Sequence, residues 1–190
     1  MKPINNLRRK LAGLTLAASL TVAFLAAPQL SAANASTVPT DEQRLAAKIR
    51  KELITLPFYG VFDHFSLEIQ GRKVILTGQV TRPTLQSSAV NVVKAIPGVE
   101  EVENRIEVLP LSRFDDQLRL ALYRNIYGQS TLGRYSMGAI PSIHILVKNG
   151  NVTLQGKVMN EMDKNLAGIF ANQVNGVFAV TNNLTVEKKS

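Results

Sequence analysis

An internal repeat of about 75 residues constrains the fold of this 190-residue chain more than any other feature. Val74–Val80 and Val152–Val158 share the pattern Val-x-Leu-x-Gly-x-Val. Gly98–Val108 and Gly176–Val186 share Gly-Val-x-x-Val-x-Asn, followed by alternating apolar residues. Both pairs are 78 residues apart, so no net insertion separates them within either copy. The sequence therefore predicts two copies of one small domain.

Apolar periodicity predicts the same order of elements in each copy. In the first copy, Leu45, Ile49 and Leu53 recur at helical spacing, and Phe65–Ile69 alternates as a half-buried strand does. The second copy repeats this order, with its first helix displaced by 73 residues. We predict an α+β fold of two tandem α-β-β-α-β domains, each a small three-stranded sheet with two helices packed on one face. Because strand order cannot be read from the pattern, it stays open.

Capping residues suggest where several helices begin and end. Thr81 is the expected cap of a helix starting at Pro83, and Asp115 or Asp116 is the expected start of the third helix. The predicted boundaries are a signal peptide at 1–35, a flexible tether at 36–40, domains at 41–109 and 114–188, and a short linker at 110–113. Because that linker is partly apolar, we expect the two domains to pack against each other.

The first 35 residues have the composition of a secretory signal peptide. Basic residues precede the apolar stretch Leu11–Leu25, and small residues then offer cleavage after Ser31-Ala32-Ala33 or Ala33-Asn34-Ala35. A permanent membrane anchor is the alternative, but the apolar stretch is short for a span of about 20 residues. The chain has no cysteine, which excludes disulfides, thiol chemistry and a cysteine-linked lipid anchor. We therefore expect an exported protein without a lipid anchor.

Positive charge is concentrated in the second copy. The chain carries a formal charge of +8, but residues 41–110 balance to zero and residues 111–190 carry +4. Such an excess favours an anionic surface, although it could equally serve solubility alone.

The repeated motifs resemble the BON domain of bacterial envelope proteins. The resemblance rests on Asn149–Val158 with Asn175–Val186 in the second copy, and on Val74–Val80 with Pro97–Val108 in the first. It departs at the first hairpin, where Gly71-Arg72-Lys73 replaces an Asn-Gly turn. The layout is similar to that of osmotically inducible periplasmic members of the family. The resemblance implies a periplasmic, non-enzymatic protein of envelope maintenance or stress, which binds phospholipid or other envelope components.

Structural requirements account for the recurring glycines and asparagines. Gly78 and Gly156 lie late in a strand, where a bulge or a close backbone approach leaves no room for a side chain. Gly98 and Gly176 are expected at helix ends, and Gly150 is expected in a hairpin turn. Asn104 and Asn182 are expected to tie a strand to a turn through side-chain hydrogen bonds.

Little in the sequence points to catalysis. His64 and His144 are the only residues that titrate near neutral pH unperturbed, and His144 is expected to point outward. Glu100, Glu101, Glu103 and Glu107 are read as a solvated edge, with a cation site as the alternative. We expect no enzymatic activity, no cofactor, no metal and no nucleic-acid partner.

The best candidate for a binding surface is the first helix of the second copy with the loop after it. That loop, Tyr127–Pro141, is about five residues longer than its counterpart and holds three glycines and two tyrosines. Interleaved arginine and tyrosine suit the headgroup region of an anionic bilayer. The predicted lipid-binding residues are Arg119, Tyr123, Arg124, Tyr127, Arg134 and Tyr135. Alternatively, the tyrosines pack against the first domain.

A second hypothesis is a protein-binding or chaperone-like adaptor. Exposed sheet edges and the aromatic stretch Phe58–Phe62 would then contact client proteins, although that stretch could simply fill the core.

Overall fold

The computed structural model describes residues 40–187, so the predicted signal peptide and most of the tether lie outside the described residues. The first repeat contains α1 (Asp41–Ile54), β1 (His64–Gln70), β2 (Lys73–Val80), α2 (Pro83–Lys94) and β3 (Glu101–Val108). The second contains α3 (Arg113–Tyr127), a 3-10 helix (Gly133–Ser136), β4 (Ile143–Lys148), β5 (Asn151–Val158), α4 (Glu161–Asn172) and β6 (Ala179–Val186). Across residues 40–187, every helix is too short or too polar to cross a bilayer.

Each repeat forms its own three-stranded sheet, which confirms the predicted α+β fold. The strand orders are β1-β2-β3 and β4-β5-β6. In each sheet the first two strands are an antiparallel hairpin, and the third lies parallel to the second after a helical crossover. The register is also repeated, because Leu76 pairs with Asn104 as Leu154 pairs with Asn182. The periodicity of the sequence is therefore a periodicity of the structure.

Each repeat has its own hydrophobic core between sheet and helices. Ile49 of α1 and Leu76 of β2 are fully buried in the first core, and Leu122 of α3 and Leu154 of β5 take the corresponding places in the second. The first helices of the two repeats, α1 and α3, keep their displacement of 73 residues. A Cβ on Gly98 would lie 3.9 Å from Leu45, and one on Gly176 would lie 4.0 Å from Leu118.

Gly78 and Gly156 are required by close backbone approach, as predicted. Both have positive φ, at 128° and 124°. A Cβ on Gly78 would stand 2.1 Å from the carbonyl oxygen of His64, and one on Gly156 2.0 Å from that of Ser142. No side chain can occupy such a position without moving the neighbouring strand.

Two of the predicted helix starts are wrong. Arg82, not Thr81, is the N-cap of α2, because both the amide and the hydroxyl of Thr81 donate to buried Asp63. Helix α3 begins at Arg113, within the predicted linker, because the Ser112 hydroxyl accepts from the amide of Asp115.

Gly98 and Gly176 do not cap their helices. The caps are Ala95 and Gln173, and each glycine lies three residues later at positive φ. There it closes a β-turn, in which Val99 donates to Ile96 and Val177 donates to Val174.

The Asn149-Gly150 turn forms as predicted, with φ of 51° and 76°. Its two amides donate at 2.9 Å to the carboxylate of Asp115, which is fully buried. Asp115 therefore holds the β4–β5 hairpin against α3, rather than only starting the helix.

The two asparagines have different roles. Asn104 accepts from the amide of Ile106 within its own strand. Asn182 accepts from Leu184 in the same way, and its amide nitrogen also donates to the carbonyl of Lys164 in α4. Only Asn182 therefore ties its strand to another element.

Candidate functional site

The face of α3 that the sequence predicted as a lipid-binding surface is largely internal. Arg119 is 4% exposed, and Tyr127 and Tyr135 are each 8% exposed. The prediction that these three side chains lie on a surface is therefore wrong. Sequence spacing placed Arg119 and Tyr127 on one side of α3 correctly, but that side faces the edge of the second sheet.

Arg119 and Tyr127 are bonded to the outer edge of β4. Arg119 donates to the carbonyl oxygen of Val147 at 2.7 Å and to Asp116 at 2.5 Å, and Tyr127 donates to the carbonyl oxygen of Ile143. Burial of the phenol raises the pKa of Tyr127. Both side chains therefore satisfy backbone groups that a sheet edge would otherwise leave unpaired.

The inserted loop folds back onto the start of α4. The Tyr135 hydroxyl donates to Asp163 at 2.5 Å and accepts from the amide of Met159 at 2.8 Å. Arg134, with 44% of its side chain exposed, pairs with the same carboxylate. Burial would raise the pKa of Asp163, but the hydrogen bonds from Tyr135 and Arg134 outweigh it and leave that pKa below its usual value. The charge of Arg134 is therefore already paired with that of Asp163.

Tyr123 contacts the first repeat, as the alternative interpretation of the tyrosines proposed. Its ring meets that of Phe62 edge-on at 6.4 Å and tilts against Tyr127 at 4.9 Å. Among the six predicted residues, Arg124 is exposed and makes no ion pair within residues 40–187.

A different face of α3 is exposed. Arg113, Gln117, Leu120 and Arg124 follow one another at i, i+4, i+7 and i+11 and are all exposed. Leu120, at 50% exposure, is a large apolar side chain between two arginines. This stripe was missed because the sequence assigned Leu120 and Arg124 only to the flank of the predicted face.

Two phenylalanines extend this stripe at the start of α3. The rings of Phe114 and Phe178 stack at 6.3 Å and are 47% and 75% exposed. Phe178 lies over the hairpin turn, since a Cβ on Gly150 would come within 2.6 Å of its ring. We call Arg113, Phe114, Leu120, Arg124 and Phe178 the basic-aromatic face.

The first repeat lacks this face. Asp41 stands where the second repeat has Phe114, and Glu100 stands where it has Phe178. In the first repeat Glu100 pairs with Arg72 and Asp41 pairs with Arg44, all at the surface. The comparison of the two copies would have identified Phe114 and Phe178 from the sequence alone.

The two repeats contact each other through the segment between α1 and β1. The carbonyl oxygen of Val61 accepts from the amide of Ile145 at 2.8 Å. Val61 and Phe62 pack against the second core, although they belong to the first repeat. Lys148 of β4 also pairs with Glu107 of β3.

His144 lies at this junction and is 9% exposed, so the prediction that it points to solvent is wrong. Its side chain does leave the sheet on the side opposite Ile143 and Ile145, but the first repeat covers that side. The rings of Tyr59 and His64 lie 5.7 Å and 5.3 Å from it. Burial lowers the pKa of both histidines, that of His64 to about 4, so both are neutral near pH 7.

Comparison with known proteins assigns the repeat. A model of the BON domain matches residues 41–110 and 130–188, together more than half of the chain. Two solved structures of CdsD, a structural protein of the type III secretion system of Chlamydia trachomatis, are similar. The first, of its C-terminal domain, has 15% identity and a TM-score of 0.28, covering 78% of this chain and all of that one. The second has 14% identity and a TM-score of 0.28, covering 76% and 92%. No curated protein gives a significant match.

Proposed function

Because this chain belongs to the BON-domain family, we propose that it is a non-enzymatic periplasmic protein of envelope maintenance that binds anionic phospholipid surfaces through its second repeat. Attachment is peripheral and reversible, since the chain contains no cysteine to carry a lipid. The composition of residues 1–35 supports export.

The basic-aromatic face is the observation that carries this proposal. Arg113 and Arg124 present guanidinium groups that can bind phosphate oxygens in pairs. Phe114, Phe178 and Leu120 lie beside them and are exposed enough to enter the boundary between headgroups and acyl chains. Cationic and apolar groups side by side on one exposed surface are the combination that an anionic membrane surface binds.

The affinity follows from few contacts. A basic residue near an anionic surface contributes about 1 kcal/mol, and this part of the attraction is screened by salt. Partial burial of two phenylalanines and one leucine adds a few kcal/mol. We therefore expect weak binding that depends on anionic lipid and declines at high ionic strength.

Co-sedimentation with vesicles tests the proposal. The protein should bind vesicles containing phosphatidylglycerol at low salt, and neither pure phosphatidylcholine vesicles nor, at high salt, anionic ones. The variant Arg113→Glu/Arg124→Glu should lose at least ten-fold in affinity. Phe114→Ser/Phe178→Ser should also weaken binding, and the loss should persist at all salt concentrations.

A matched control lies on α1. Arg44→Glu/Lys51→Glu makes the same change in charge on exposed positions of the first repeat and should leave vesicle binding within about two-fold. If the two charge-reversal variants lost affinity equally, net charge and not this face would determine binding. Unchanged binding by Arg113→Glu/Arg124→Glu would reject the face.

A further inference from the structure

The outer edge strands of the two sheets, β1 and β4, occupy equivalent positions but differ in how far they are buried. Positions 143–147 of β4 are all buried, whereas from Phe65 onward in β1 half-buried positions alternate with exposed ones. Edge strands expose a row of backbone donors and acceptors, and proteins usually cover or charge such an edge. The second repeat covers its edge; the first does not.

Three hydrogen bonds close the edge of β4. Tyr127 donates to the carbonyl of Ile143, the amide of Ile145 donates to Val61, and Arg119 donates to the carbonyl of Val147. These odd-numbered residues therefore direct their backbone groups away from β5. By the repeat spacing of 78, their counterparts in β1 are Phe65, Leu67 and Ile69.

At the two α1 positions equivalent to Arg119 and Tyr127, the first repeat has side chains that cannot close its edge in this way. The helical displacement of 73 residues places Ala46 where α3 has Arg119, and Ile54 where it has Tyr127. Neither can donate a hydrogen bond. Within residues 40–187, no hydrogen bond joins the outward backbone groups of Leu67 or Ile69 to another residue.

A groove runs along this open edge, between α1 and β1. Its wider part, of about 510 Å³, opens toward the junction of the repeats, and a shallower part continues toward the start of α1. Arg50 and Leu67 line both parts, so the two are continuous. Its apolar wall comprises Leu53, Ile54, Tyr59, Phe65, Leu67 and Ile69.

We propose that the open edge of β1 binds an extended polypeptide segment of another protein by strand addition. The backbone of the segment would pair with the outward groups of Leu67 and Ile69, and its alternate side chains would enter the groove against Ile54 and Phe65. An acyl chain would fill the apolar wall but would leave the backbone groups unpaired. A polypeptide satisfies both, and apolar residues at every second position match the wall.

This site goes beyond the proposed membrane binding and is separate from it. The backbone edge that would pair with the segment belongs to β1 of the first repeat, and the groove lies between α1, β1 and the junction of the repeats, whereas the basic-aromatic face belongs to α3 and to the loop before β6. A protein that lost one activity could therefore retain the other. The groove also meets the junction, since His64 and His144 line its wide end.

Fluorescence polarisation with a labelled model peptide tests strand addition. The probe is Glu-Val-Thr-Val-Thr-Val-Lys, in which valines occupy alternate positions. We expect saturable binding to the full-length protein in the absence of lipid. Two further probes carry N-methyl groups, one on the valine amides and the other on the threonine amides. Because only one set of amides faces the edge, one methylated probe should bind at least ten-fold more weakly and the other should bind nearly as the parent does.

A variant that copies the closure of the second repeat provides the test on the protein. Ala46→Arg/Ile54→Tyr introduces the residues that cap β4 and should reduce peptide affinity at least ten-fold. Ala47→Arg, at the next and exposed position, adds the same charge outside the groove and should change affinity less than two-fold. Far-ultraviolet circular dichroism and thermal unfolding establish that both variants are folded.

Three outcomes would overturn the proposal. The two methylated probes could bind equally, which would mean apolar capture without backbone pairing. The capping variant could bind as well as the parent protein. Finally, the groove could take up a fluorescent fatty acid but not the peptide. The methylated probes leave the protein unaltered, so a misfolded variant cannot decide the result.

Discussion

His64 and His144, the only two histidines of the chain, come from different repeats and lie with their ring centroids 5.3 Å apart at the junction. The Nδ1 atoms of both rings are buried without a hydrogen-bond partner. Tyr59 and Asp63 lie against them, Ser66 is 3.3 Å from His64 Nε2, and burial raises the pKa of Tyr59 to about 12. Arg50, Lys157 and Glu187 line the same cleft. A proton added to the His64 ring would therefore be poorly solvated and close to the His144 ring.

We predict that the protein loses stability as the pH falls from about 6.5 to about 4. Burial, with a smaller effect of His144, lowers the folded pKa of His64 to about 4 from an ordinary 6.5. Between these two pH values the unfolded chain binds more protons than the folded one. The stability that the neutral histidine contributes is therefore fully present above pH 6.5, and the free energy of unfolding declines below it. The loss should reach up to about 3 kcal/mol by pH 4. Urea denaturation at half-unit pH steps measures it.

The variant His64→Gln/His144→Gln serves as the comparison for this pH dependence. Carboxylates titrate in both proteins, so the difference between the two curves isolates the histidines. That difference should be flat above pH 7 and should change steadily below pH 6.5. Parallel curves over the whole range would show that the histidine pair does not couple protonation to folding.

Removing the buried carboxylate of Asp115 should destabilise the second repeat. In Asp115→Ala, the amides of Asn149 and Gly150 lose the acceptor that they share, and that of Gly150 stays buried, which costs about 2–4 kcal/mol. Asp41→Ala removes a carboxylate whose side chain is 98% exposed and should cost less than about 0.5 kcal/mol. Chemical denaturation of the two variants gives both values. Similar costs would mean that Asp115 is not a structural link.

Alanine should be tolerated very differently at three glycines of positive φ. In Gly78→Ala and Gly156→Ala the new methyl group collides with a carbonyl oxygen, and we expect a cost of about 3 kcal/mol or more, or failure to fold. Gly71→Ala has a φ of 63° but no atom within 4 Å of the new Cβ, so only the conformational cost of about 1 kcal/mol remains. Thermal unfolding ranks the variants, and equal costs would contradict the close approach.

Substitution of Arg119 should affect stability but not membrane binding, and substitution of Arg124 should affect membrane binding but not stability. Arg119→Met leaves the carbonyl of Val147 without its buried donor and should lower the free energy of unfolding by about 2–3 kcal/mol, with unchanged vesicle binding. Arg124→Met should do the reverse, weakening binding to anionic vesicles while leaving stability within about 0.5 kcal/mol. Unfolding and co-sedimentation are measured on both proteins. Reduced vesicle binding by folded Arg119→Met would favour the face that the sequence first suggested.

The tandem fold could be predicted because its determinants are local and occur twice. Gly78 and Gly156 occupy the same position in the second strand of each repeat, and apolar residues alternate around them. This local pattern defines the hairpin and the crossover without any long-range information. The Asn149-Gly150 turn is likewise a local signal. Helix starts were less predictable. Thr81 does not cap α2 because its amide and hydroxyl donate hydrogen bonds to Asp63, which lies 18 residues earlier.

The candidate site could not be predicted from spacing because spacing does not say which side of a helix a neighbouring element covers. Arg119 and Tyr127 are polar enough to suggest a surface, but the edge of β4 supplies carbonyl groups that bury them. His144 was placed on the correct side of its strand, yet that side is covered by residues about 80 positions earlier in the sequence. Contacts between repeats leave no periodic signal.

Val61 and Phe62 make the second repeat depend on the first for part of its interior. A fragment cut at the linker and carrying only residues 111–190 would keep all its own strands and helices but would lack two of the apolar side chains that cover its core. The two repeats are therefore not interchangeable modules, because part of the interior of the second is supplied by the first.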